Sequence, residues 1–268
     1  MEIVSLPKSL PEAVREEFGR AFHDPFEAPI CIGINVVLIA LGWWLLPAFI
    51  THWIFGYYGA HALPLTLLSW MVADVPATNV IGSDARRMAV ALRDRSTLLD
   101  LLVAKAIVLW LLTAPLCFVV DLSVSAPSGN IVIACLTIVM ILFLPFATLG
   151  MATWVGILVP YKPMPLRERQ RQVRKDPMRF LRWCGAITAP YVVVPLLAKV
   201  CFFPVHKWGL PGDSHRVLGH PVAQFWGVMV GSIALALIVL IVGYRGALVL
   251  AAKRNQHLQE FLADEELG

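Results

Sequence analysis

Residues 130–159 read NIVIACLTIVMILFLPFATLGMATWVGILV, without one Asp, Glu, Lys, Arg or His. A helix needs roughly 20 mainly apolar residues to cross the hydrocarbon core of a bilayer, and this stretch exceeds that length. Three further runs meet the same test, at about 29–55, 99–121 and 223–250. A fifth, about 183–205, is apolar apart from Lys199 and the prolines 190, 195 and 204. Proline is tolerated in a membrane helix when neighbours satisfy the freed carbonyls. A sixth, about 57–76, reads YYGAHALPLTLLSWMVADVP, with His61, Pro64 and Asp74 toward its ends.

Composition agrees with these runs. Of 268 residues, 58% are apolar or aromatic and 15% charged, against about 25% charged in soluble chains. A mean hydropathy of +0.72 excludes a disordered chain. Nine Trp and 19 Pro exclude a plain coiled coil. Cys31, Cys117, Cys135, Cys184 and Cys201 include no CxxC pair, so they read as packing residues and not as a metal or redox centre. Residues 1–28 carry Glu2, Lys8, Glu12, Arg15, Glu16, Glu17, Arg20, Asp24 and Glu27 with no apolar signal-peptide core, so the first apolar run is expected to be an uncleaved span. The expected class is a single all-α integral membrane domain over 1–268.

Charge placement sets the count and the orientation. Of the 22 Lys and Arg, 18 fall before the first run, in 77–98, in 160–182 and after position 244. The alternate loops, 56–61, 122–129 and 206–222, hold only Lys207 and Arg216. Basic residues concentrate in cytoplasmic loops. Six spans with both termini in the cytoplasm satisfy that rule. Dropping the span at 57–76 would scatter the charges over both sides. A multi-pass protein of the cell (plasma) membrane is expected.

Before the first run, Ser9 and Glu12 form the S-x-x-E pattern of a capping box, with Pro11 in the first turn. Leu10, Val14, Phe18 and Phe22 recur every four residues, and Glu12, Arg15, Glu16 and Arg20 take the other side. That is an amphipathic helix over 9–23, suited to the cytoplasmic membrane interface or to packing on another chain. Pro25 and Pro29 are expected to end it. Between the fifth and sixth runs, 203–222 reads FPVHKWGLPGDSHRVLGHPV, a structured outer segment that could re-enter the membrane. His206, His215 and His220 are not spaced for one helix face, so no metal site is assigned.

Few polar groups lie within the runs. Lys105 sits near a cytoplasmic end, where it can snorkel. Lys199 lies deeper and either snorkels outward or takes part in a pathway. Asn35 either bonds between helices or lines a pathway. An inward cluster of carboxylates or histidines, as a membrane enzyme of lipid metabolism would need, is not legible. Ser83-Asp84-Ala85-Arg86 with Asp94 and Asp100 approaches the acidic motif of CDP-alcohol phosphotransferases but lacks its Asp-Gly pair. Pro127-Ser128-Gly129-Asn130 approaches the PSGH motif of membrane phosphatases but lacks the histidine. No G-x-x-x-x-G-K-[ST] occurs, so the chain has no P-loop for ATP.

The layout resembles the permease half of a type-2 ABC exporter over about 9–252. It has an interfacial helix, six spans, a charged first cytoplasmic loop and a structured outer segment before the last span. Asn79-Val-Ile-Gly-Ser-Asp-Ala-Arg-Arg to Leu99 resembles the first cytoplasmic loop of such permeases. Val159-Pro-Tyr-Lys-Pro-Met-Pro-Leu-Arg-Glu-Arg resembles the loop after their fourth span. The resemblance implies two permease halves, copies or paralogues, over a pair of ATP-binding subunits. ATP and Mg would sit on those subunits, with no cofactor or catalytic residue in this chain and no nucleic-acid partner. It implies that 9–23 is a connecting helix and 77–98 a coupling loop, with Asp84, Arg86, Arg87, Arg93 and Asp94 docking on the ATPase. The basic loop 160–182, of net charge +6, could meet anionic lipid or the ATPase. The cargo would be a lipid, a lipid-linked glycan or a hydrophobic compound. A non-catalytic membrane scaffold shares the topology without needing an ATPase, and a lipid-metabolising enzyme is the third possibility.

Overall fold

The computed structural model describes residues 6–23, 26–47, 62–72, 75–125, 131–161, 216–217 and 220–263, with scattered positions between 177 and 196. The architecture is all-helical. In chain order come α1 (Leu10–Ala21), α2 (Glu27–Leu45), α3 (Ala62–Met71), α4 (Val75–Thr78), a 3-10 turn (Gly82–Asp84), α5 (Ala85–Ala91), α6 (Arg95–Ser125), α7 (Ile131–Phe143), α8 (Pro145–Leu158), α9 (Val222–Lys253) and α10 (Asn255–Ala263). Arg216–Val217 and His220–Pro221 make a two-residue antiparallel contact just before α9. It lies in the expected outer segment, the rest of which is outside the described residues, as are Lys199 and 162–176 of the basic loop.

Four stretches are long and apolar enough to cross a membrane: Ala28–Leu45, Arg95–Val124, Thr137–Leu158 and Met229–Lys253. The run at 57–76 contributes the ten-residue α3 and the short α4, and the run at 183–205 lies largely outside the described residues. Two long helices carry apolar surface on the outside. On α2, Ile30, Ile34, Val37, Leu41 and Trp44 recur at helical spacing and are exposed, Trp44 by 76%. On α9, Val230, Ile238, Ile241 and Val242 are exposed in the same way. Apolar surface of this extent has a place in lipid or against another chain, not in water.

Pro145 marks a seam between α7 and α8. Leu144 keeps helical angles and its N–H reaches the Met140 carbonyl at 2.9 Å. Pro145 has no N–H to continue the series, so α8 restarts there. Pro25 lies outside the described residues, and Pro29 does not end the first helix as expected. It lies in the first turn of α2, where no N–H is needed. The chain turns instead at Phe26, whose φ of 53° is left-handed.

The interior has two apolar cores, one at each end of the bundle. The first joins Ala13 of α1, Met88 and Ala91 of α5, Leu98–Ala104 at the start of α6, Ile157 at the end of α8, Ala247 and Ala251 near the end of α9, and Leu258 of α10. The second joins Ile39 of α2, Leu65–Met71 of α3, Leu109 and Cys117 of α6, Ile141 of α7, and Leu149 and Ala152 of α8. At 31 residues, α6 is about 46 Å long, well beyond a hydrocarbon core, and it passes from one core into the other.

The closest crossing is that of α8 and α9. A Cβ on Gly150 would lie 2.8 Å from the Val239 carbonyl oxygen, and one on Gly243 would lie 2.7 Å from that of Gly150. Two facing glycines let the backbones touch, the device membrane helices use where apolar burial gives no drive. Trp154 Nε1 donates to the Gly243 carbonyl at 2.6 Å.

Candidate functional site

The charged residues of 77–98 form a folded unit at the end of the bundle that holds the first core. Asp84 caps α5, its Oδ1 accepting the Arg87 backbone N–H at 3.4 Å. An aspartate there satisfies a donor the helix cannot bond internally. Met88, Ala91 and Arg87 are the buried face of α5. The last described helix, α10, lays Leu258, Phe261 and Leu262 into the same core and packs on α5. Arg254, just before it, donates to the carbonyls of Ile157 and Leu158 at 3.0 and 2.6 Å and so closes the end of α8.

Arg87 is the centre of the unit. Its side chain is 1% exposed, and its guanidinium bonds Glu16 at 2.5 Å and Glu17 at 2.6 Å. Both carboxylates come from α1, about 70 residues earlier. A third ion pair joins Arg20 of α1 to Asp84. A buried guanidinium is costly unless its charge is matched and its donors are used. Here two carboxylates match the charge and take the two Nη groups, while Nε is buried without a partner. Burial, then the positive Arg87, lower the pKa of Arg20, while Glu17 and Glu16 act the other way; a guanidinium stays charged throughout.

These contacts divide the faces of α1. Ser9 is the N-cap by backbone geometry, but its side chain makes no capping bond; Glu12 instead accepts the Lys8 backbone N–H at 2.7 Å. Ala13 is fully buried, and Leu10 and Val14 pack on the first core. Phe18 and Phe22 are 41% and 48% exposed and tilt against each other with ring centroids 5.4 Å apart. The row Leu10, Val14, Phe18, Phe22 thus serves two surfaces, protein at its start and surroundings at its end. Glu16 and Glu17 reach Arg87 of α5.

The other candidates separate by environment. Arg86, Arg93 and Arg95 are exposed. Asp94 caps α6: it accepts the backbone N–H of Thr97 at 3.0 Å and of Ser96 at 3.4 Å, the Ser96 hydroxyl at 2.7 Å, and the Thr97 hydroxyl. The Thr97 and Ser96 bonds hold its carboxyl well below the usual carboxylate range. Lys105 donates to the Val80 carbonyl at 3.0 Å and to the Ser83 hydroxyl, fixing the chain before α5. Asn35 is 6% exposed, and its Nδ2 donates to the Cys31 carbonyl one turn back. The Thr78 and Tyr161 hydroxyls, 3.0 Å apart, tie α4 to the beginning of the basic loop.

Sequence reasoning missed Glu16 and Glu17 as partners of Arg87. It also missed Asp121 of α6, which is fully buried. No family model, curated protein or solved structure matches the chain.

Proposed function

We propose that the chain is the transmembrane permease subunit of an ABC exporter, driven by separate ATP-binding subunits and paired with a second permease half. The observation that carries this reading is the Arg87 unit. Ion pairs from the buried Arg87 join an amphipathic helix to a short helix, and both pack through the first core on the beginning of a helix about 46 Å long. In this reading a push on α5 or α1 would reach the foot of α6 through that packing. A permease without a nucleotide site needs such a linkage, and this chain has no P-loop.

In this reading the first core lies in the cytoplasm and the second in the bilayer. Lys105 marks the boundary, and Phe18 and Phe22 touch the interface. The ATPase would meet the exposed Arg86 and Arg93, while Arg87 transmits and Asp94 caps. Charge in the spans is scarce, Asp121 of α6 aside, which favours an amphiphilic cargo, such as a lipid, lipid-linked glycan or hydrophobic compound, over an ion. Six spans with both termini inside follow from the charge bias. Single cysteines at positions 58, 125 and 212 in a cysteine-free background test that topology. All three should label from outside intact cells, and labelling of 125 only after permeabilisation would refute it.

A second reading, a non-catalytic membrane scaffold, is favoured by α10, which covers part of α5 with its own apolar face. The two separate on one measurement. Replacing Arg86 and Arg93 by alanine should uncouple ATP hydrolysis from export in a permease and leave a scaffold's assembly unchanged.

A further inference from the structure

A cavity of about 300 Å³ opens where α1, α2, the 3-10 turn and α6 meet. Its polar side carries the cations Arg20 and Lys105 and the carboxylates Glu17 and Asp84, with His23 and Ser83 beside them. Its apolar side includes Val108 and Leu112, one and two turns beyond Lys105 on α6. Polar and apolar halves are thus stacked along the axis of a helix long enough to span a membrane. The volume is at the lower end for ligand sites, enough for a headgroup and the first carbons of its chains.

The geometry points to a binding site for the headgroup of a zwitterionic aminophospholipid from the adjoining leaflet. Its phosphate meets Arg20 and Lys105, its primary ammonium meets Glu17 and Asp84, and one acyl chain runs along Val108 and Leu112. Both signs of charge are needed for this assignment. A purely anionic headgroup would face two carboxylates, and a purely cationic one two cations. A quaternary ammonium has no N–H for the carboxylates, so phosphatidylcholine fits less well than phosphatidylethanolamine. Arg20 is 46% and Asp84 24% exposed in their pair; Asp84 Oδ2 is buried, which leaves Oδ1, and Glu17 gives only Oε1 to Arg87. A lipid held here would press on α1 and the chain before α5, linking the leaflet to the Arg87 unit. The inference needs a bilayer but no ATPase, so it stands or falls apart from the exporter reading.

The test is native mass spectrometry of the full chain, released from micelles holding equimolar phosphatidylethanolamine, phosphatidylcholine and phosphatidylglycerol of matched chains. Phosphatidylethanolamine should be retained about tenfold over phosphatidylcholine, the scale of one charge-assisted hydrogen bond. Arg20→Gln should lower that retention about tenfold. Leu112→Trp, which fills the apolar half and leaves every charge in place, should lower it as well. Thermal melting of both variants reports whether they fold. Soluble glycerophosphoethanolamine at equal concentration should not displace the lipid. Equal retention of the three lipids, preference for phosphatidylglycerol, displacement by the soluble headgroup, or folded variants that retain phosphatidylethanolamine normally would each overturn the assignment.

Discussion

Arg87 Nη1 donates to Glu17 Oε1 at 2.6 Å, joining α5 to α1 from positions 70 residues apart. The guanidinium is 1% exposed and the Glu17 side chain 11%, so the bond forms out of water. Removing one member of such a pair strands the other. Arg87→Met should therefore cost about 3 kcal/mol, the lower end for a broken buried pair, because Glu16 is one-third exposed. The Arg87→Met, Glu17→Gln double variant should be less destabilised than the sum of the singles by about 1 kcal/mol. Thermal or denaturant unfolding in detergent measures the cycle. Additive losses would remove the pair from the fold's stability.

Arg86 and Arg93 belong to the same charged segment as Arg87 but are exposed. Alanine at both should change stability by no more than about 0.5 kcal/mol. Recovery of an ATPase partner should fall, and the loss should steepen with salt, as surface electrostatics are screened. An Arg86→Ala, Arg87→Ala pair would mix this effect with unfolding, so Arg93 is the better companion. Pull-down of the complex at two ionic strengths is the measurement.

Gly150 and Gly243 bring α8 and α9 into backbone contact. Gly243→Leu has no space and should separate the helices at a cost of about 2 kcal/mol or more. Gly33, with open space around its Cβ position, is the control, since Gly33→Ala should be tolerated. Melting of the two variants in parallel makes the comparison.

Asp94 gives a pH test. Its folded pKa is depressed by the Thr97 and Ser96 bonds. The stability this contributes is complete above the unfolded carboxylate pKa of about 3.9 and is lost as pH falls through the lower folded value. Wild type should therefore melt above Asp94→Asn by a constant margin from pH 5 to 7. The margin should narrow as the pH is taken below about 4. A margin that changes between pH 5 and 7 would assign the effect to another group.

Legibility in the sequence follows the range of the interaction. The long apolar runs encode their own helices, because in lipid each backbone group must be satisfied within the segment. Capping is local too: Asp94 with Ser96 and Thr97 is a cap written in four residues. The helix α1 was visible from its period, yet its contacts were not. The same row of apolar residues meets protein at Leu10 and Val14 and leaves Phe18 and Phe22 outside, which depends on where α6 lies. Arg87 shows the limit most clearly. In a short charged segment it reads like Arg86, and only Glu16 and Glu17, brought in by tertiary packing, make it a buried residue. The covering of α5 by α10 joins segments more than 160 residues apart, and no periodicity encodes that.

The proposed function requires an ATPase on a separate subunit. The direct measurement is Mg-ATP hydrolysis by the full chain purified from its native membrane in mild detergent, before and after its partners are stripped away. The complex should hydrolyse ATP through a co-purified subunit carrying a P-loop, activity should vanish with that subunit, and Arg86→Ala with Arg93→Ala should lower its recovery. An intact complex without ATP hydrolysis or a P-loop subunit would contradict the exporter reading and favour the scaffold.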